Sequence, residues 1–235
     1  MPTIVFVSPK GGAGKTTAAL VLASELARAS QVTVVDADPN HPIKIWASGA
    51  EVSDNLRVVS DADEETILEC IESAAAETPF VIVDLEGTAA KIVLLAVSQA
   101  DLVIIPTQGS QLDAEQAGRA LRVVRQQEKM SGRAVPYSVL LTRTSPAIRT
   151  RTMAHIQKSL KDSGVPVFST ELHERDAFRA MFSFRRTLQK LDPADVGNLD
   201  KAIANAEAYS KEVIALLRKG KGKVEQATQA TAKVA

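Results

Sequence analysis

The chain has 235 residues, 28 basic and 28 acidic side chains, and one cysteine. That length suffices for one large α/β domain with a substantial core. Cys70 alone excludes a disulfide framework or a four-cysteine metal site within one chain. The three histidines, His41, His155 and His173, show no ligand spacing, so no protein-only metal site is expected. No apolar run approaches the ~20 residues that span a bilayer, and an apolar run that meets charge by residue 10 is not a signal-peptide pattern.

The first predicted strand, 3–8, runs into Lys10-Gly11-Gly12-Ala13-Gly14-Lys15-Thr16-Thr17, and an alanine- and leucine-rich helical pattern follows over 15–29. In a strand–glycine loop–helix unit, glycines let successive backbone N–H groups turn inward around a polyphosphate, with the positive helix N-terminus behind them. Gly11, Gly12, Ala13, Gly14 and Thr17 are the expected cradle, Lys15 reaches the β/γ-phosphates, and the Thr16 hydroxyl ligates Mg²⁺. The generic loop needs a glycine where this chain has Pro9, and it carries a second lysine, Lys10. Lys10 lies too near the loop entrance to fold back easily onto phosphates held by Lys15, so it is expected to point outward, to a nucleotide held by a neighbouring molecule.

The second predicted strand, 32–36, ends in Asp36-Ala37-Asp38-Pro39-Asn40. Strands at 56–59 and 80–84 follow, the latter ending Val81-Ile82-Val83-Asp84. A carboxylate after such an apolar run is costly unless it meets a cation or donors. Asp84 therefore fits a Mg²⁺-holding role, through water, opposite Thr16. Helical patterns at 63–77 (where Cys70 packs beside Ile67 and Ile71), 88–98, 112–131 and 147–163 alternate with strands at 102–106, 137–142 and 165–168. Repeated strand–helix units with near-continuous Val/Ile/Leu strands predict an α/β fold: a doubly wound, mostly parallel sheet with helices on both faces. Ligand then sits beyond the carboxyl ends of the strands, where Thr142 and Arg143 are candidates for base contacts. A last helix over 193–218 presents Ile203, Ala206, Tyr209, Val213 and Leu216 to the sheet. Residues 1–218 are read as a single domain and 219–235, poor in apolar mass, as a flexible basic, Ala-rich tail.

The zero net charge hides an asymmetry. Residues 1–115 hold 6 basic and 17 acidic side chains, against 22 and 11 in residues 116–235. Arg119, Arg122, Arg125, Lys129 and Arg133 share one helical face by spacing. Arg149 and Arg151, then Arg179, Arg185, Arg186 and Lys190, continue the basic run. Few aromatics are interleaved, so the expected partner is the phosphate backbone of nonspecific double-stranded DNA rather than stacked bases.

The loop signature, K-G-G-x-x-G-K-[ST], resembles that of the ParA/MinD deviant-Walker P-loop ATPases. Asp101 to Pro106, Leu112-Asp113 and Leu141-Thr142-Arg143 are similar to the small ParF-like partition ATPases of the ParA branch. The stretch from His173 to Phe178 resembles a ParA-like protein of T-DNA transfer. The resemblance implies a weak ATP hydrolase using ATP and Mg²⁺, which closes as a homodimer with Lys10 of each subunit on the other's nucleotide. By it, Asp38 positions the attacking water, Asp36 supports the Mg²⁺ shell, and Lys10, Lys15 and Asp38 are catalytic. It further implies a cytoplasmic, nucleoid-associated switch that segregates plasmid or chromosome cargo, with a ParB- or ParG-like adaptor stimulating hydrolysis. Gly109 and Gln111 stand where that group has further prolines, and Glu86 where relatives carry small residues or proline. The alternative is a MinD-like or cluster-positioning ATPase anchored on membrane or protein. The residues after Arg218 lack the bulky apolar side chains of a membrane anchor, so no stable membrane association is expected. A reductase sharing a metal cluster would need two cysteines per subunit. A DNA-binding module with a merely structural nucleotide is the remaining competitor.

Overall fold

The computed structural model describes residues 1–49, 52–86, 90–109, 111–147 and 151–232. The strands are β1 (Thr3–Phe6), β2 (Val32–Ala37), β3 (Leu56–Val59), β4 (Phe80–Leu85), β5 (Leu102–Thr107), β6 (Tyr137–Thr144) and β7 (Leu172–His173). The helices are α1 (Lys15–Leu26), α2 (Pro42–Ala47), α3 (Ile67–Glu77), α4 (Ala90–Ser98), α5 (Gln111–Ser131), α6 (Arg151–Asp162), α7 (Asp176–Phe184) and α8 (Leu199–Ala232), with a 3₁₀ turn at Leu188–Lys190. Among the described residues the strands form one parallel sheet of order β3-β2-β4-β1-β5-β6-β7.

Alternate side chains of each strand feed two separate cores, as period-2 geometry requires. Ile4, Phe6, Val34, Ile82 and Ile104 join α1, α2, α7 and α8 on one face. Val5, Val35, Val83, Val103 and Ile105 join α3 to α6 on the other. Helix α1 is buried almost all round from Ala18 to Leu26, because it lies between the sheet and α8. In α8 the stripe is Ala202, Ala206, Tyr209, Val213 and Leu217, with Tyr209 edge-on to Phe168 at 5.8 Å. Ile203 and Leu216 pack at its margin. The helix continues through Ala232, past the boundary that composition places at residue 218. At Gly220 it still lies against Pro136.

Six expected strands coincide with observed ones to within two residues; the seventh does not. Residues 165–168 contribute only an isolated bridge, Val139 to Val167, and the chain joins the sheet later, at Leu172–His173. Pro166 has no N–H to donate to a ladder. The Ser169 and Thr170 amides donate instead to the Glu212 carboxylate of α8, both at 2.7 Å, which draws the chain off the sheet. Helices α2 and α7 are additions to the expected set. Arg133, expected on the α5 face, lies beyond that helix, and its guanidinium donates to Ser98 O and Ala100 O at the end of α4. Residues 88–89, 148–150 and 233–235, which fall in expected elements, lie outside the described residues.

Candidate nucleotide site

The glycine loop leaves β1 and enters α1 as its sequence demands. Gly12 and Gly14 take φ of 79° and 91°, a region open to glycine at little cost. Two side chains hold the loop's outward carbonyls: Thr142 Oγ1 donates to Ala13 O at 2.8 Å, and Gln108 Nε2 donates to Gly12 O at 2.7 Å. With those carbonyls engaged from behind, the loop's N–H groups are left to the cleft. The cleft, about 370 Å³, is walled by Gly11, Gly12, Gly14, Lys15, Thr16 and Thr17, with Asp38, Asn40, Glu86 and Arg143 opposite. Lys15 is buried, and its ammonium donates to Ser8 O at 3.3 Å. Burial lowers its pKa, while Asp84, Asp38 and Glu86 pull it back up. Lys10 is half-buried at the loop entrance and is not among the described residues that line this cleft.

The acidic side chains fall into register. Asp36 and Asp84 are direct partners across β2 and β4, so two fully buried carboxylates lie on adjacent strands. Neither Asp84 oxygen has a hydrogen-bond partner, and Asp36 Oδ1 has none either. Asp36 Oδ2 accepts from Ile43 N and Lys44 N, each at 2.9 Å, and so holds the first turn of α2. Burial pushes the Asp84 carboxyl up to about 7, against the lowering influence of the nearby Thr16 hydroxyl and of Lys15. Burial also raises Asp36, with the Lys44 and Ile43 amides opposing it. Orphaned carboxylates beside a hydroxyl at the phosphate loop form the hard-oxygen donor set that suits Mg²⁺. Asp38 is tied locally: its Oδ1 accepts from the Asn40 amide at 2.9 Å and from Asn40 Nδ2 at 3.0 Å.

A second cavity, about 220 Å³, shares Gly14, Thr17 and Arg143 with the cleft and is floored by Leu172, Phe178 and Phe182. A half-apolar groove continuous with a phosphate cleft is the shape a nucleoside requires. Thr142 and Arg143 line it, Arg143 at φ 53° where β6 shifts register against β7. Sequence reasoning missed the α7 wall, Phe178 and Phe182, and the positioning residues Gln108 and Asn40. The one signal for Gln108 was its place two residues after a predicted strand end.

A family model for the VirC1 protein matches residues 1–207. The ParA protein of Rhizobium radiobacter is 40% identical over 214 residues, which cover 91% of this chain and 96% of that protein. The chain belongs to the VirC1/ParA family of P-loop ATPases. The virC1 protein of the same organism is 33% identical over 187 residues, 77% of this chain and 80% of that one. Among solved structures, an McdA variant from Cyanothece in complex with ATP superposes with a TM-score of 0.72 at 18% identity, covering 91% of this chain and 96% of that one. That likeness carries the fold.

Within this VirC1/ParA chain the basic residues separate into two groups. Arg119, Arg122, Arg125 and Lys129 are exposed on α5, and Arg151 is exposed at the start of α6, on the sheet face of the second core. Arg179 on α7, Arg185 and Arg186 just after it, and Lys190 in the 3₁₀ turn lie on the opposite face. There Arg179 pairs with Glu174 at 3.0 Å and Asp176 at 3.5 Å, and Arg185 donates to Ser48 Oγ at 3.0 Å. Arg149 lies outside the described residues. Among the described residues no helix is long and apolar enough to cross a membrane.

Proposed function

We propose that this VirC1/ParA chain is an ATP-driven switch. With ATP it dimerises, grips nonspecific DNA through its basic surface and distributes a DNA cargo, and a partner-stimulated hydrolysis step releases it. The observation that carries this reading is the pairing of the glycine loop with two orphaned carboxylates in register, Asp36 and Asp84. Such a pair is costly without a cation and is relieved by a bound Mg²⁺–nucleotide, so the site is built to be occupied. Lys15 leaves the Ser8 carbonyl for the phosphates, and the Thr142 and Gln108 side chains keep the loop carbonyls turned away. Asp38, held by Asn40, takes the proton side of an attacking water. Mg²⁺, held by Thr16 and Asp84 with Asp36 behind, would neutralise charge on the phosphate oxygens.

Lys10, at the loop entrance of each subunit, reaches the partner's nucleotide, which makes dimerisation depend on ATP. ATP then shifts the population between two states in proportion to its differential affinity for them. The run of basic charge on the second half of the chain supplies the DNA grip, and a cargo-bound adaptor of the ParB or ParG kind supplies the release signal. Cytoplasmic, nucleoid-associated residence follows from this reading.

The test is light scattering and duplex binding by wild type and Lys10→Ala, each with ATP, ADP or no nucleotide. Wild type is expected to dimerise and bind duplex only with ATP. Lys10→Ala is expected to retain ATP binding but lose the dimer and weaken DNA affinity by at least about tenfold, or ~1.4 kcal/mol. A Lys10→Ala protein that still dimerises with ATP removes the switch as described.

A further inference from the structure

Two groups of cations compete for the role of DNA surface, and they lie on opposite faces of the sheet. The α7 group is already engaged: Arg179 pairs with two carboxylates, Arg185 with Ser48, and Arg186 and Lys190 have partners of their own. By contrast, Arg119, Arg122, Arg125 and Lys129 of α5 and Lys158 of α6 are exposed and take no ion pair or hydrogen bond among the described residues. We infer that the outer face of α5 and α6, and not the α7 cluster, is the surface that docks the phosphate backbone of duplex DNA. This deepens the reading of a DNA-gripping switch and rests on it.

Three observations support the choice. A cation held by a carboxylate must give up that pairing before it can neutralise a phosphate, whereas an unpaired one exchanges only water and diffuse counterions. The face is also nearly free of competing negative charge. Between residues 117 and 162 the chain has two acidic side chains, Glu128 and Asp162, and Glu128 is turned to the Val135 amide at 2.9 Å.

Geometry supplies the third. Ala117, Ala120, Leu121 and Val124 are buried on α5 and Met153, Ile156 and Leu160 on α6, so the opposite stripes face outward on two adjacent helices. At 1.5 Å per residue, Arg119 to Lys129 forms a row about 15 Å long. The neighbouring helix, its axis about 8–10 Å away, adds Lys158 beside that row. Four cations in about 15 Å, one per roughly 4 Å, are on the scale of the one phosphate per ~3.4 Å of axis that a single strand of the duplex presents. A protein partner would call for an apolar, aromatic centre, and on this face α5 exposes a single large apolar side chain, Met130, among the described residues.

The experiment measures duplex affinity against salt, with ATP and Mg²⁺ present, for wild type and two triple variants: Arg122→Gln/Arg125→Gln/Lys129→Gln on α5, and Arg185→Gln/Arg186→Gln/Lys190→Gln in the α7 cluster. ATP binding and thermal melts confirm that both remain folded. The α5 variant is expected to bind at least about tenfold more weakly, with a salt slope smaller by roughly 2–3, near 0.9 per lost phosphate contact. The α7 variant is expected to keep the wild-type slope. If the α7 variant loses binding and the α5 variant does not, the face assignment falls while the DNA reading stands. If wild type binds no duplex under any condition, or binds poly-glutamate in its place, both fall together.

Discussion

Asp84→Asn is expected to raise the melting temperature of the nucleotide-free protein and to abolish its ATP hydrolysis. Two effects of opposite sign from one atom replacement follow from the burial of Asp84 with both oxygens unpartnered and from its register with Asp36. Without nucleotide an ionised Asp84 has lost water, a loss that Lys15 and the Thr16 hydroxyl offset only in part, so its folded-state pKa rises to about 7 from an ordinary value near 4. The folded protein then binds more protons than the unfolded chain between those limits. Stability therefore falls as pH rises through about 4 to 7. Asparagine removes the charge and with it this slope, at the lesser cost of a buried neutral amide.

The gap in melting temperature is thus expected to be small at pH 5 and to open by pH 8. The gain can reach a few kcal/mol, since each tenfold change in proton affinity is worth about 1.4 kcal/mol. Hydrolysis is expected to fall by more than about 100-fold, because the neutral side chain no longer holds Mg²⁺ against the phosphates. Melts at both pH values with ATP turnover decide the matter. A variant less stable than wild type at pH 8 would show that Asp84 has a structural partner and is not an orphan waiting for a cation.

The parts of this molecule that were legible from sequence are those with short-range causes. The β1 strand, the glycine loop and α1 are adjacent in the chain, and their chemistry is written in consecutive residues, so the loop conformation at Gly12 and Gly14 follows directly. The aspartates were visible for a related reason: a carboxylate closing an apolar run marks a strand end facing a ligand. What sequence did not disclose is which strand ends meet. The Asp36–Asp84 pairing depends on β4 inserting between β1 and β2, and that is set by the crossover of the chain.

Asp36 shows a further limit. Its sequence context fits either magnesium support or a cap for the next element, and the structure has one oxygen capping α2 and the other unpartnered, on the strand beside Asp84. Helix α2 is six residues, too short to leave a periodic signal, and α7 follows a polar stretch that hides its start. The two are nonetheless joined by the Trp46 indole, which donates to Met181 O at 3.0 Å, and α7 in turn walls the second cavity. The basic clusters are limited in the same way. Spacing along one helix is readable, but whether two helices share a face of the sheet is not.

Asp38→Ala is expected to leave ATP binding within about threefold and to cut hydrolysis by about 10²–10⁴-fold, the usual worth of a positioned proton acceptor. Asp38 lines the phosphate cleft opposite Lys15, and two hydrogen bonds from Asn40 fix one oxygen, which leaves Oδ2 to orient a water on the far side of the phosphates. It has no part in holding the loop, so truncating it removes an interaction needed only at the transition state. In the proposed cycle dimerisation follows ATP binding and release follows hydrolysis, so the variant is expected to accumulate as an ATP-bound dimer on DNA. Asn40→Ala, which frees the carboxylate without removing it, is expected to lose a smaller part of the rate, on the order of tenfold. Single-turnover hydrolysis alongside DNA residence time separates these outcomes. If Asp38→Ala turns over ATP at the wild-type rate, another group orients the water. If it fails to bind ATP at all, Asp38 belongs to the binding shell rather than to the chemistry.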